Sequence, residues 1–130
     1  MRRRQFLKLS AGALALGAPA VIGSSSARAS AEKWPEKPVK IIVPYAPGGA
    51  SDLIARPWAE KLSQVFGQQF VVENRGGASG MIGMEAAAKS APDGYTFACT
   101  PGATLAILPN LRQVPYDPMK SFTPVGRVGD

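Results

Sequence analysis

The chain has 130 residues, with 15 lysines and arginines, 9 aspartates and glutamates and a net charge of +6. It contains no histidine and one cysteine, Cys99. These counts exclude an internal disulfide, and they remove the usual general base and the commonest metal ligand from this sequence. Cys99 lies in an apolar run, so we predict a small, buried strand residue rather than a reactive thiol.

The first 29 residues are typical of an export signal. A basic cluster precedes an apolar stretch over residues 9–22, and an Ala-Arg-Ala cleavage site ends at Ala29. This stretch is shorter than the roughly 20 apolar residues of a membrane-spanning helix. We therefore predict a signal peptide over residues 1–29, removed in the periplasm, with cleavage after Ala31 as the alternative. Residues 3–8 resemble the twin-arginine signal, but Arg2 stands where that pattern prefers serine or threonine, so the general secretion route stays open.

Removing this segment also removes the basic character of the chain. Five basic residues lie in it, namely Arg2, Arg3, Arg4, Lys8 and Arg28. Residues 30–130 then carry ten basic and nine acidic groups, a net charge of +1. Because no cluster of lysine or arginine is left, we expect no nucleic-acid partner. The 101 residues after Ala29 suffice for one small core, but not for a closed two-lobed cleft.

Strand-like and helix-like segments alternate after the signal. Strands are predicted over residues 39–43, 69–73, 95–100 and 125–128. Helices are predicted from residue 50 or 51 to 66, from 79 to about 91 and from 103 to 108. This alternation is typical of an α/β domain, in which helices cover a parallel sheet. Ligands of such sheets bind at the carboxyl ends of the strands, where the strand order reverses.

The first predicted helix carries most of the large apolar residues. Its buried side is expected to contain Leu53, Ile54, Trp58, Leu62, Val65 and Phe66. Pro57 falls past the first turn, so we expect a kink or a restart there. Gly67 is expected to end the helix in a left-handed conformation.

The string Gly-Gly-Ala-Ser occurs twice, at residues 48–51 and 76–79, each time between a predicted strand and a predicted helix. Such a turn leaves backbone N–H groups open, and together with the positive end of a helix dipole these groups hold an anion. Each turn alone is better explained as a tight strand-to-helix connection, but two copies favour a small-anion receptor. Both turns should lie at one edge of the sheet. Neither copy matches a dinucleotide fingerprint or a Walker loop.

Three side chains near the turns allow two interpretations each. Asp52 is either a helix-start carboxylate or a group that holds waters or a ligand ammonium. Tyr45 is either a core residue or the wall of a pocket at the strand end. Arg75 is either the counter-ion of a bound carboxylate or a structural partner of Glu73 or Asp52, and we favour the structural role.

Four segments in order resemble the periplasmic receptors of the tripartite tricarboxylate transporter system, the Bug family. They are residues 44–56, 72–83, 91–96 and 115–118. The resemblance implies a two-lobed periplasmic binding protein of type II that closes on a small carboxylate solute and delivers it to the membrane permease subunits. It implies no enzymatic activity, no cofactor and no metal. Residues 30–130 would then be the first part of the ligand-binding domain, without the second lobe.

The resemblance also implies which residues bind the ligand. Carried over to this sequence, they are Tyr45, Ala46, Gly48, Gly49, Ser51, Asp52, Ala78, Ser79, Gly80, Thr100 and Pro101. Two departures from the family pattern are Gly76, where proline is usual, and Pro57 within the helix. The alternatives are an exported α/β enzyme with its catalytic residues in a missing carboxyl-terminal part, and a truncated product without function.

Overall fold

The computed structural model describes residues 33–128. The predicted signal peptide over residues 1–29 and both candidate cleavage sites lie outside the described residues. The strands are β1 (Val39–Val43), β2 (Phe70–Asn74) and β3 (Thr96–Ala98). The helices are α1 (Ala50–Phe66), α2 (Met81–Ala88), α3 (Gly102–Ala106) and α4 (Leu108–Leu111), and a 3₁₀ turn (Ala78–Gly80) precedes α2. No helix in this part of the chain is long and apolar enough to cross a membrane.

The three strands form one parallel sheet in the order β2-β1-β3. Val39 lies opposite Phe70, and Val43 lies opposite Asn74. β1 is the central strand, and both of its faces are covered, as its run of β-branched residues predicts. The chain leaves β1 to form β2 on one side and then β3 on the other, so the strand order reverses at β1. The predicted α/β class is confirmed.

The predicted buried side of α1 is wrong. Leu53, Trp58 and Val65 are 65%, 50% and 64% exposed. Ile54 and Phe66 are also exposed, and only Leu62 packs partly against the core. The residues of α1 that are buried are instead Asp52, Ala55 and Ala59. Two alanines let the helix backbone approach the sheet closely, and the third buried position holds a carboxylate, which an apolar pattern does not reveal.

Of the kink or restart expected at Pro57, the restart does not occur, because α1 runs as one helix from Ala50 to Phe66, and the kink stays a prediction. Proline removes one backbone N–H, and the carbonyl that loses its donor belongs to Leu53, a residue on the exposed side of the helix. Water can satisfy that carbonyl, so the helix continues. Gly67 ends α1 as predicted, with φ of +68° and its N–H donating to the Ser63 carbonyl at 3.0 Å.

Most other boundaries differ from the predictions by a few residues. β1 has the predicted bounds, β2 begins and ends one residue later, and β3 is shorter at both ends. α2 begins at Met81 rather than residue 79, because Ala78 and Ser79 have positive φ angles of +48° and +58°. The strand predicted over residues 125–128 is wrong, because that segment pairs with no strand among the described residues.

Candidate functional site

The two Gly-Gly-Ala-Ser turns lie side by side at the carboxyl edge of the sheet, as predicted. They follow Val43 and Asn74, which are register partners at the ends of β1 and β2. The Arg75 N–H donates to the Val43 carbonyl at 2.8 Å. A Cβ atom on Gly76 would lie 3.3 Å from the Ala46 nitrogen, so the two loops are in contact.

The first turn is held by the side chain of Asp52, which is 2% exposed. Its Oδ2 accepts hydrogen bonds from Arg56 Nε at 2.8 Å and from the Gly48 N–H at 2.9 Å. Its Oδ1 accepts from Asn74 Nδ2 at 2.9 Å. These bonds, that to Arg56 above all, lower the pKa of Asp52 from 3.8 to about 2. The carboxylate is engaged by protein donors, which favours the structural interpretation of this residue.

Several backbone donors at this edge are left open. Within residues 33–128, the amides of Ala50 and Ser51 in the first turn have no acceptor in the protein, and neither have those of residues 76–79 in the second. The α1 N-terminus has no side-chain cap either, since Gly49 occupies that position. Open amides at a helix start favour a bound anion.

Other amides of the turns are already used inside the protein. The Gly48 N–H is bonded to Asp52, the Asp52 N–H donates to the Gly49 carbonyl at 3.0 Å, and the Gly80 N–H donates to the Gly77 carbonyl at 2.9 Å. Gly48 and Gly80 therefore determine the conformation of the backbone there but offer no free N–H group to a ligand.

The second turn is shaped by its backbone rather than by a side-chain anchor. Its four residues from Gly77 to Gly80 all have positive φ, including the non-glycine residues Ala78 and Ser79. The left-handed region costs a non-glycine residue about 1–2 kcal/mol. Behind the turn, a Cβ on Gly83 would lie 2.6 Å from the Pro44 Cα and 2.7 Å from the Arg75 carbonyl oxygen. Only glycine lets α2 pack this closely against the ends of β1 and β2.

Helix α3 contacts the end of β1 beside the second turn. The Tyr45 hydroxyl lies 2.7 Å from Thr104 Oγ1 in α3, and Thr104 is 2% exposed. The Tyr116 hydroxyl donates to the Thr104 carbonyl at 2.8 Å. Tyr45 packs against the core, as one of its two interpretations predicts, and its hydroxyl lies beside Gly80, while its role as a pocket wall stays a prediction. Sequence reasoning missed Thr104, for which no local signal exists.

Thr100 and Pro101 lie at the carboxyl end of β3, on the same edge as the two turns. Pro101 is exposed and immediately precedes α3, while Thr100 is half-buried. The half-buried Cys99 comes just before them, and burial raises the pKa of its thiol. A raised pKa keeps the sulfur in the poorly nucleophilic thiol form, in line with a structural role.

The arginines beside the turns are both paired. Arg75 pairs with Glu73, so its predicted structural role is confirmed, and Arg56 pairs with Asp52. Lys40 also reaches Glu73 at 2.9 Å, and the bonds from Lys40 and Arg75 lower the pKa of Glu73. The described residues contain no cluster of three or more His, Cys, Asp or Glu side chains able to hold a metal. An anion at this edge would therefore meet mainly backbone amides rather than an unpaired cation.

Comparison with known proteins identifies the family. The model of the tripartite tricarboxylate transporter family receptor matches residues 54–129, more than half of the chain. Protein BugT of Bordetella pertussis is 44% identical over 107 residues, which are 81% of this chain and 33% of that protein.

Two solved structures are similar. Periplasmic binding protein BugD has 41% identity and a TM-score of 0.65, over 72% of this chain and 31% of BugD. R. palustris Rpa4515, solved with adipate, has 40% identity and a TM-score of 0.62, over 66% of this chain and 29% of Rpa4515. The chain spans about a third of the length of these proteins. It belongs to the tripartite tricarboxylate transporter receptor family.

Proposed function

We propose that this chain is the first part of a periplasmic receptor that binds a small carboxylate-bearing solute and delivers it to the membrane subunits of a tripartite tricarboxylate transporter. In this proposal residues 1–29 are a signal peptide that is removed on export, and residues 30–130 belong to the ligand-binding domain. The proposal rests on six open amides, which belong to two neighbouring turns at one edge of the sheet.

The residues proposed to form the ligand site, by contact or by shaping it, are Tyr45, Ala46, Gly48, Gly49, Ser51, Asp52, Ala78, Ser79, Gly80, Thr100 and Pro101. Ser51, Ala78 and Ser79 contribute open amides. The hydroxyls of Ser51 and Ser79, which have no partner among the described residues, add two further donors. Gly48, Gly49 and Gly80 allow a ligand to approach the backbone, and Asp52 acts by holding the first turn.

A carboxylate suits this donor set. Backbone N–H groups and hydroxyls donate to a negatively charged oxygen, and hydrogen bonds to charged groups stabilise by roughly 1.5–3 kcal/mol each. Rpa4515 was solved with adipate, a dicarboxylate. With the arginines at this edge already paired, recognition rests on neutral donors, so we expect it to depend only weakly on ionic strength.

The affinity of this chain alone is expected to be low. A micromolar receptor needs about −8 kcal/mol of binding free energy. A site open to water on one side loses part of the value of each hydrogen bond to competing solvent. We therefore expect millimolar binding at best.

Thermal unfolding with matched ligands tests the proposal. Adipate, with the ionic strength held constant, is expected to raise the unfolding midpoint by a few degrees at about ten times its dissociation constant. Adipamide, which has the same length without the charge, is the control and should leave the midpoint unchanged. Equal effects of the two compounds would contradict carboxylate recognition, and sub-micromolar binding of adipate would contradict a partial, open site.

A further inference from the structure

We propose that Asp52, Arg56 and Asn74 form a positioning network that sets the spacing of the two anion-binding turns without contacting the ligand. The inference rests on the proposed function, and it assigns to these three side chains a role in affinity that is separate from ligand contact.

The three side chains form a closed ring of hydrogen bonds. Arg56 Nε donates to Asp52 Oδ2 at 2.8 Å, and Arg56 Nη2 donates to Asn74 Oδ1 at 3.2 Å. Asn74 Nδ2 completes the ring by donating to Asp52 Oδ1 at 2.9 Å. Each side chain bonds to the other two, so none of them can move without breaking a bond.

The ring is anchored in the backbone on both sides of the site. Asp52 accepts from the Gly48 N–H at 2.9 Å, within the first turn. Asn74 Nδ2 also donates to the Tyr45 carbonyl at 3.2 Å, at the end of β1. Asn74 is itself the last residue of β2, two positions before the second turn. The ring therefore connects the first turn, the end of β1 and the segment that leads into the second turn.

Backbone hydrogen bonds hold the second glycine of the first turn, because the Gly49 N–H donates to the Ala46 carbonyl at 3.4 Å and the Gly49 carbonyl accepts from the Asp52 and Leu53 N–H groups at 3.0 Å each. Gly48, with a positive φ of +80°, has open space where a Cβ would lie. Gly49 provides no side-chain cap for α1. The bond from the Gly48 N–H to Asp52 is the side-chain hydrogen bond that ties the first glycine to the turn carrying the open amides of Ala50 and Ser51. Open donors bind an anion well only when they are already oriented toward it.

The network needs arginine at position 56. The planar guanidinium reaches Asp52 with one nitrogen and Asn74 with another, whereas a lysine ammonium keeps the charge but not this fork. Arg56→Lys therefore disrupts the two-armed hydrogen bonding of residue 56 while keeping its positive charge. Arg75→Lys is the matched control, because Arg75 lies at the same edge and pairs only with Glu73 outside the ring.

The test uses amide NMR spectra of the ¹⁵N-labelled chain, first without ligand. In Arg56→Lys we expect the amide signals of Gly77, Ala78 and Ser79 to move, although these residues are more than twenty positions away. In Arg75→Lys the signals of Ala50 and Ser51 should stay in place. If the second-turn signals of Arg56→Lys coincide with those of the wild type, the network does not set the spacing and the inference is overturned, whether or not a ligand binds.

Titration with adipate provides the second readout. Arg56→Lys should bind about tenfold more weakly than the wild type, which corresponds to one charge-assisted hydrogen bond lost through misalignment, while Arg75→Lys binds like the wild type. Equal affinities of the wild type and Arg56→Lys would overturn the inference. If the wild type binds neither adipate nor any other acid of a panel of small carboxylates, the proposed function is contradicted, and the ligand-free spectra still decide whether the network exists. Asn74→Ser, which shortens another arm of the ring, replaces Arg56→Lys if that variant does not fold.

Discussion

The two Gly-Gly-Ala-Ser turns have the same four residues but different structures. In the first copy Ala50 and Ser51 begin α1 with helical geometry, and in the second the matching Ala78 and Ser79 have positive φ. The residue that follows the string differs, because it is Asp52 in the first copy and Gly80 in the second. The Asp52 carboxylate bonds back to the first glycine of its turn, whereas Gly80 has no side chain to do so.

The difference shows two ways of building the same kind of donor surface. The first turn is fixed by a buried charged side chain, so its geometry depends on hydrogen bonds and on pH. The second is fixed by backbone conformation and by the close approach of α2 at Gly83, so its geometry depends on steric fit. Substitutions that remove one kind of support should leave the other turn largely intact.

The largest effect is expected at the steric support of the second turn. Gly83→Ala places a methyl group against the Pro44 backbone and the Arg75 carbonyl, so we expect a loss of about 1–3 kcal/mol in the free energy of unfolding. Gly102→Ala is the control, because a Cβ there meets nothing within 4 Å. Urea denaturation measures both variants, and similar stabilities of the two would refute the packing argument.

The next largest effect concerns the charged support of the first turn. Since the pKa of Asp52 is lowered from 3.8 to about 2, its ionised form stabilises the fold above pH 3.8, and this contribution is lost as the pH falls toward 2. Asp52→Asn should therefore be less stable at pH 7 and should lose less stability over that acid range.

Some acid sensitivity is expected to persist in Asp52→Asn, because the pKa values of Glu73 and Asp93 are also lowered. Urea midpoints measured between pH 2 and pH 7 compare the variant with the wild type. Parallel curves for the two proteins would show that the Asp52 charge does not support the turn.

The smallest effect compares the two copies directly, through one substitution made in each. Ala50→Gly should destabilise by about 0.5–1 kcal/mol, since glycine weakens the start of a helix. Ala78→Gly should stabilise by up to about 1 kcal/mol, because glycine adopts a φ of +48° without strain. Thermal or urea unfolding of both variants gives the signs, and two changes of the same sign would mean that the turns do not differ as described.

The sequence predicts the strands and the shared edge of this fold better than its helix surfaces. β1 consists mostly of β-branched residues, and such a run is typical of a central parallel strand that is covered on both faces. The buried face of α1 is not predictable in the same way, because it includes Asp52. A carboxylate can be buried only where hydrogen-bond donors surround it, and here the donors are Arg56 and Asn74. Apolar periodicity contains no information on such partners.

The candidate site is likewise predictable from the sequence only in part. Its location follows from glycine-rich turns after parallel strands, which the sequence displays. The left-handed backbone at Ala78 and Ser79 does not, since the same dipeptide is helical at residues 50 and 51. The contact between Tyr45 and Thr104 joins residues 59 positions apart, and only the folded chain brings them together.

Whether the two turns bind one carboxylate together can be measured by an amide NMR titration of the ¹⁵N-labelled chain with adipate. We expect the signals of Ala50, Ser51, Gly77, Ala78 and Ser79 to move together and to fit a single dissociation constant. Ala50→Pro, which removes one open amide at a helix position that tolerates proline, should weaken this binding, while Ala50→Ser should not. Signals that move in only one turn, or that fit two different constants, would contradict joint binding by the two turns.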